Sequence, residues 1–141
     1  VMQILQRLAK TLVKYQDPQS GTWYQVTDQG AREGNYLESS ATALFIYTLA
    51  KAVNKGYISK DYIEPTRKAF DGMVKTFTRL EEDGSYTITN CCAVAGLGGD
   101  SKRYRDGSFE YYISEPVIEN DPKSVGSFIL AAIEYEKMTD K

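Results

Sequence analysis

Apolar residues recur at helical spacing in four stretches of the chain. These stretches are residues 2–16, 35–55, 65–77 and 122–138, with Pro65 in the first turn of the third. Side chains three and four positions apart lie on one face of an α-helix, so each stretch predicts a helix with a buried side. The pattern therefore predicts a mainly α-helical protein.

The predicted buried faces differ in width. Before Lys51 the second helix has almost no polar face, which is typical of a helix enclosed by neighbours, and its alanines allow those neighbours to come close. In the third helix the predicted inward residues are Ala69, Phe70, Met73, Val74 and Phe77. In the last helix they are Val125, Phe128, Ile129, Ala132, Ile133 and Tyr135.

Capping residues mark most of the helix ends. Asn35 is predicted to cap the second helix, with Glu38 favoured in its first turn by the helix dipole, and Gly56 is predicted to end it. Asp121 and Pro122 predict the start of the last helix. The first helical pattern is already running at residue 1 without a cap, so we expect the chain to have been cut from a longer one.

The connections after the first and third helices carry turn and strand signals. Alternation over residues 23–27 predicts a short extended segment. Residues 81–85 predict a hairpin turn that leads into a strand over residues 86–89. Residues 95–100 are rich in glycine, but they lack the βαβ frame of a phosphate-binding loop, which favours a plain surface loop.

The last long connection combines a turn, an aromatic segment and a helix start. Asp106 and Gly107 predict the turn, and residues 108–114 predict a strand that ends at Pro116. Long helices joined alternately by short turns and long polar loops are typical of stacked helical hairpins, in which all the long loops gather at one end.

Length and charge restrict the class of protein. The chain has 141 residues, 17 basic and 19 acidic, with a net charge of −2, so we expect residues 1–141 to form a single soluble domain. This balance argues against a non-specific nucleic-acid binder, which needs clustered cations. No apolar run approaches the roughly 20 residues that cross a bilayer. The compartment stays open between the cytoplasm and the periplasm of a bacterium.

The sequence contains no histidine. This excludes Ser-His and Cys-His nucleophilic pairs and most zinc sites, so any catalysis would depend on carboxylates, tyrosines or lysines. Cys91 and Cys92 are adjacent, and a disulfide between neighbours is strained, which favours two reduced, partly buried thiols.

Three ordered motifs resemble one enzyme family. They are Gly21-Thr-Trp-Tyr-Gln-Val-Thr-Asp, then Asn35-Tyr-Leu-Glu-Ser-Ser-Ala-Thr-Ala, and then Arg105-Asp-Gly-Ser-Phe-Glu-Tyr-Tyr-Ile-Ser-Glu-Pro followed by Asn120-Asp-Pro-Lys and Gly126-Ser-Phe. The order and the sequences of these motifs resemble the C-terminal part of the unsaturated rhamnogalacturonyl hydrolases of glycosyl hydrolase families 105 and 88, which degrade pectin.

The resemblance implies a fold and a reaction. The fold is an (α/α)6 barrel, to which four long helices would contribute about a third. The reaction is hydration of the C4=C5 double bond of an unsaturated uronic acid at the end of an oligosaccharide, with an aspartate as general acid and base and with no metal or organic cofactor. That aspartate lies upstream of the matched motifs in the family, so the resemblance implies no catalytic residue within this chain.

The candidate substrate-binding residues lie in the long loops. Aromatic rings can stack on a sugar, and an arginine can form a fork on a uronic carboxylate. The candidates are Trp23, Tyr24, Arg105, Tyr111, Tyr112 and Glu115. For each aromatic residue the alternative is packing of its loop, and for Glu38 it is the start of a helix. Glu110 and Glu115 are the carboxylates without an evident local role, and paired carboxylates serve ordinary glycoside hydrolysis.

Three hypotheses follow for the function. The chain is part of an unsaturated rhamnogalacturonyl hydrolase, or a non-catalytic helical module that binds a carbohydrate or a protein, or an acid–base enzyme that uses Glu110 and Glu115. An open arc of helices would leave apolar surface uncovered, so we also expect self-association through the exposed barrel faces.

Overall fold

The computed structural model describes residues 1–99 and 104–139. The helices within them are α1 Met2–Lys14, α2 Ser39–Asn54, α3 Ile63–Phe77, α4 Phe109–Ser114 and α5 Pro122–Thr139. The strands are β1 Thr78–Leu80, β2 Tyr86–Ile88, β3 Cys91–Cys92 and β4 Val117–Ile118. A single turn of 3-10 helix, Lys60–Tyr62, precedes α3. The mainly helical class predicted from the apolar pattern is confirmed.

Helices α2 and α5 lie side by side and run in the same direction. At one end, the Asn54 side chain of α2 donates a hydrogen bond to the Glu134 carbonyl oxygen of α5 over 2.8 Å. At the other end, the Ser39 N–H donates to the carbonyl oxygen of the residue before β3 over 3.0 Å. The side-chain Nζ of Lys123, in the first turn of α5, donates to the carbonyl oxygen of the residue after β3 over 3.1 Å. The starts of both helices therefore lie at the same end.

Small side chains dominate the buried face of α5. Its buried residues are Ser124, Ser127, Ala131 and Met138. Two of the residues predicted to face inward do not, because Ile129 and Ile133 are 54% and 43% exposed, whereas Phe128 packs against the core. Since α5 packs mainly on α2, short side chains at the contact let the two helix axes approach closely. Ile129 and Ile133 then lie outside this contact.

Helix α3 covers α2 with the face that its apolar spacing predicts. Ala69, Met73 and Phe77 are completely buried, and the Phe70 ring stacks on Tyr135 of α5 at a centroid distance of 3.9 Å. Val74 was also predicted to face inward, but it is 40% exposed. It lies at the edge of the apolar stripe, one position past Met73 and about 100° around the helix.

The start of α2 differs from its prediction. Glu38 is the N-cap, and its side chain accepts a hydrogen bond from the Ala41 N–H over 2.6 Å. Asn35 lies three residues before the cap, and its side-chain amide instead donates to the carbonyl oxygens of Val26 and Gln29. The prediction of Asn35 as the cap was therefore wrong, whereas the alternative of Glu38 as a helix-start residue is confirmed.

The hairpin after α3 is confirmed. Strands β1 and β2 pair antiparallel, with Thr78 opposite Ile88 and Leu80 opposite Tyr86. A second pair, also antiparallel, joins β3 to β4. The extended segment predicted over residues 23–27 is shorter than expected, because only Tyr24 forms a bridge, opposite Leu37. The predicted glycine-rich loop of residues 95–100 ends at Asp100, which lies outside the described residues.

A strand was predicted over residues 108–114, but Phe109–Ser114 form a helix. The Ser108 hydroxyl accepts a hydrogen bond from the Tyr111 N–H over 3.1 Å and caps α4. Glu110 lies in the first turn, where an acidic side chain is favoured. The aromatic residues carry strand propensity, but a serine cap and an acidic first turn decide the local structure.

The long connections gather at one end of the helices, as predicted for stacked hairpins. Residues 15–38 lead into the start of α2, and residues 78–121 lead into the start of α5. The opposite end has the short connection of residues 55–62. Within the described residues, no helix combines the length and the apolar character that crossing a membrane requires.

Candidate functional site

Three of the predicted site residues come together at the end with the long connections. The Tyr111 hydroxyl accepts a hydrogen bond from the Gly96 N–H over 3.0 Å. Arg105 pairs through its backbone with Gly98, with both hydrogen bonds at 2.9 Å. A side-chain hydrogen bond links Tyr111 to Glu115. The loop after β3 therefore holds Arg105 and Tyr111 next to each other.

The Arg105 side chain lies over the same loop. A Cβ atom placed on Gly96 would lie 3.3 Å from Arg105 Nη1, so the guanidinium group passes close to the Gly96 backbone. Burial and the hydrogen bond to Glu115 raise the pKa of Tyr111, and the positive charge of Arg105 opposes this rise. Tyr111 is therefore a neutral hydroxyl at physiological pH, which donates a hydrogen bond to Glu115, accepts one from the Gly96 N–H and keeps one further acceptor position.

Tyr112 faces a second surface next to Tyr111. The two rings lie 5.0 Å apart at an angle of 53°. Tyr112 borders a groove of about 610 Å³. The groove has an apolar part formed by Leu8, Leu12 and Phe45 and a polar part formed by Gln25, Thr27 and Asp28. An aromatic ring beside polar side chains is an arrangement that suits a sugar ring.

Trp23 is part of the core. Its side chain is 0% exposed, its indole N–H donates to the Leu12 carbonyl oxygen over 2.8 Å, and its ring packs edge-on against Phe45 at 5.3 Å. A sugar needs an exposed ring face for stacking, so the structure does not support the predicted role of Trp23 in binding. The alternative of loop packing explains this residue.

Tyr24 is half-buried and lies apart from Tyr111. Its ring covers Gly30, where an added Cβ would approach the ring carbons to 2.8 Å. It borders a depression of about 360 Å³ that also includes Thr27 and Asp28. Since those two residues also line the groove beside Tyr112, Tyr24 is a neighbour of that groove rather than a member of the Arg105 cluster.

The two candidate carboxylates have different surroundings. Glu110 has an exposed side chain that forms an ion pair with Arg32, whose guanidinium lies 3.8 Å from the centre of the Phe109 ring. Glu115 is 2% exposed and bonds to Tyr111. One carboxylate is solvated and the other is buried, so they do not form a matched pair on one open surface.

A further buried carboxylate, for which the start of a helix was the alternative to a role in binding, contacts strand β3. Glu38 is 1% exposed, and its carboxylate accepts a hydrogen bond from the Cys92 N–H over 3.0 Å. Burial raises the pKa of Cys91, and the nearby Glu38 charge raises it further. Burial and a hydrogen bond with Cys92 likewise raise the pKa of Tyr36. Both cysteines are free and buried, as expected.

The described residues contain no group of three or more metal-binding side chains close enough to hold an ion. The chemistry that they offer is hydrogen bonding, aromatic stacking and recognition of a negative charge. Proteins use these interactions, among others, to bind charged sugars.

Comparison with known proteins gives consistent likenesses over most of the chain. Residues 1–139 match the family model described as Glycosyl Hydrolase Family 88. A glycoside hydrolase from family 105 of C. acetobutylicum ATCC 824 is 44% identical, with a TM-score of 0.92 over 96% of this chain. A possible family 105 member from Salmonella enterica is 27% identical, with a TM-score of 0.77 over 99% of this chain. The described helices thus form part of an (α/α)6 barrel, as the resemblance implied.

The relatives are longer than this chain. The 24.9 kDa protein in the picA locus of Rhizobium radiobacter is 39% identical over an alignment of 120 positions, which covers 82% of this chain and 52% of that protein. The chain covers 37% of the C. acetobutylicum protein and 32% of the Salmonella protein.

Proposed function

Because the chain belongs to glycosyl hydrolase family 88, we propose that it forms one side of a cleft that binds the unsaturated uronic acid at the end of a rhamnogalacturonan oligosaccharide. In this proposal the chain is the C-terminal portion of the barrel, and residues 1–141 form one domain. It contributes to recognition of the substrate, while the aspartate that transfers the proton lies outside this chain. No cofactor takes part.

The observation that carries this proposal is the cluster of Arg105 and Tyr111 where the long connections gather. A guanidinium group binds a carboxylate with two parallel hydrogen bonds, which suits the uronic acid. The neutral Tyr111 hydroxyl can bond to a sugar hydroxyl, and the Tyr112 ring offers a stacking face. The charge of Arg105 favours a sugar ring that carries a carboxylate over a neutral one.

The proposed reaction is hydration of the C4=C5 double bond, which gives an unstable hemiketal and releases the neighbouring sugar. The surroundings of Glu110 and Glu115 argue against an ordinary hydrolysis by this pair, because that mechanism needs both carboxylates to face the scissile bond. Glu110 is engaged by Arg32, and Glu115 is buried. We therefore assign Glu115 to holding Tyr111 in place.

Calorimetric titration with an unsaturated rhamnogalacturonan disaccharide tests the binding role. We expect Arg105→Ala to weaken binding by about tenfold or more, since a hydrogen-bonded charge contributes roughly 1.5–3 kcal/mol. Arg67→Ala on the outer face of α3 is the matched control and should bind normally. Equal affinity of the Arg105→Ala variant and the unaltered chain would contradict the assignment. Turnover of the disaccharide by this chain that is lost in Glu115→Gln would favour the acid–base alternative.

We also propose that the chain self-associates through the flanks of its helical arc. Ile129, Leu130 and Ile133 on α5 and Ile4 and Leu8 on α1 are exposed apolar side chains. On each helix these side chains lie three or four positions apart or adjacent, and exposed apolar patches are typical of interaction faces.

Sedimentation at micromolar concentration tests this self-association. An Ile129→Lys and Ile133→Lys double variant should shift the protein towards monomer, whereas Val74→Lys on α3 should not. A monomer that melts cooperatively and does not bind a hydrophobic dye would contradict self-association.

A further inference from the structure

We infer that Glu38 is a positioning residue, which fixes the loop after β3 and thereby sets the placement of Arg105 and Tyr111. The inference rests on the proposed binding role of those two residues. It assigns a second task to a carboxylate whose first task is to cap α2.

The contacts of Glu38 extend in two directions. Towards α2, its carboxylate accepts hydrogen bonds from the Ala41 N–H over 2.6 Å and from the Ser40 hydroxyl over 2.9 Å. Towards β3, the Oε1 atom accepts from the Cys92 N–H over 3.0 Å. Residues 38 and 92 are far apart in the chain, so this carboxylate joins two separate segments. Its 1% exposure keeps water from replacing either bond.

Continuous contacts lead from Cys92 to the candidate site. Strand β3 pairs with β4, and the next residue, Ala93, donates to the Pro116 carbonyl oxygen over 2.9 Å. Three residues further, the Gly96 N–H donates to the Tyr111 hydroxyl. Gly98 then pairs with Arg105. A shift of the chain at Cys92 would therefore reach both proposed substrate contacts within a few residues.

The length of the side chain is essential to this double role. An aspartate is a good helix cap, but it is one methylene shorter and would not span from the start of α2 to the Cys92 N–H. A glutamine has the same length, but its amide group is a donor and would oppose one of the N–H donors that the carboxylate accepts. The two variants Glu38→Asp and Glu38→Gln therefore separate capping from positioning.

Hydrogen exchange of the backbone amides tests the inference without any ligand. In Glu38→Asp we expect exchange at Cys92 and Gly96 to accelerate about tenfold or more, because local opening of this loop costs less, while the amides of α2 keep their protection. Glu134→Gln is the matched control. It alters a largely buried carboxylate at the opposite end of α2 and α5 and should leave the loop unchanged.

Disaccharide titration of the same variants gives the second readout. Glu38→Asp should raise the Kd about tenfold, as expected when a site must be ordered on binding, with unchanged stoichiometry. Normal exchange at Cys92 and Gly96 in Glu38→Asp would overturn the inference. Accelerated exchange in a protein that binds no disaccharide even unaltered would support the positioning role while contradicting the proposed function.

Discussion

The two ends of the helical arc are stabilised in different ways. Where the long connections gather, polar side chains bind backbone groups of distant segments: the buried Glu38 accepts from the Cys92 N–H, and Asn120 accepts from the Ile88 N–H. At the opposite end, the polar contacts run between helices, as from Asn54 to Glu134. Irregular chain has backbone groups without helical partners, and when these groups are buried they need partners from side chains.

This difference changes how a buried polar residue at the loop end is interpreted. A buried carboxylate in a cleft suggests catalysis, yet Glu38 is satisfied by backbone and hydroxyl donors. Glu115 is likewise bonded to Tyr111. Partly exposed groups such as Tyr112 and Arg105 are then better candidates for contact with a ligand. A buried polar residue at this end should therefore be assigned a function only if hydrogen bonding to the protein's own backbone does not already explain its burial.

The largest expected effect tests how tightly the first long connection is held. In Gly72→Ala, the new Cβ would lie 1.8 Å from the Ser20 carbonyl oxygen, so the connection would have to move away from α3. We expect a loss of about 3 kcal/mol or more in the free energy of unfolding, measured by urea denaturation. Gly126→Ala is the control, since no atom lies within 4 Å of its added Cβ, and it should gain roughly 0.5–1 kcal/mol. Similar stabilities of the two variants would show that the connection is loosely attached.

The next effect concerns the link between the hairpin and the start of α5. Asn120 has a φ of 52°, its side chain accepts from the Ile88 N–H over 2.8 Å, and its own N–H donates to the Ile88 carbonyl oxygen. Asn120→Ala should cost about 2 kcal/mol, because it combines backbone strain with a lost hydrogen bond. Asn120→Gly removes the strain and should cost about 1 kcal/mol less. Equal unfolding free energies of the Asn120→Ala and Asn120→Gly variants would show that the backbone conformation of residue 120 contributes nothing to stability.

The fold could be predicted further from the sequence than the site could. Helical periodicity gave the four long helices, because that signal is summed over many residues. It did not show which face of α5 would meet α2, since Ser124 and Ser127 look polar although their short side chains permit the closest contact. Similarly, the strand propensity of Tyr111 and Tyr112 led to the prediction of a strand where Ser108 caps a short helix.

For the candidate site, the sequence indicated which residue types suit a sugar, but it did not indicate which of these side chains are exposed. Trp23 and Tyr24 are adjacent and equally aromatic, yet one is completely buried and the other half-buried. Both residues lie in an irregular connection, where no helical or strand periodicity indicates which side chain is buried. The role of Glu38 at Cys92 was missed because the partner lies far away in the sequence and donates through its backbone, which every residue type has.

A moderate effect tests the opposite end. Asn54→Ala removes the side-chain bonds to the Glu134 carbonyl oxygen and carboxylate, at 2.8 and 3.1 Å. We expect a loss of about 1 kcal/mol, since alanine partly compensates as a good helix former. Thermal denaturation measures this loss, and amide exchange at Gly96 should not change. Accelerated exchange at Gly96 would mean that the two ends are coupled rather than independent.

The smallest effect concerns an exposed ion pair at the loop end and its dependence on pH. Arg79 binds both carboxylate oxygens of Glu119, at 2.7 and 2.9 Å, and these hydrogen bonds lower the pKa of Glu119. A carboxyl group with a lowered folded-state pKa stabilises the protein above its unfolded pKa of about 4.3, and this contribution is lost as the pH falls through the folded value. Glu119→Gln should therefore have a urea midpoint slightly below that of the unaltered protein at pH 7, and the difference should vanish towards pH 3.

Because both side chains are about half exposed, salt should also reduce the difference. Glu136→Gln, on the exposed side of α5, is the control and should follow the unaltered protein throughout. A difference that persists at pH 3 would assign the effect to packing of the side chain and not to its charge.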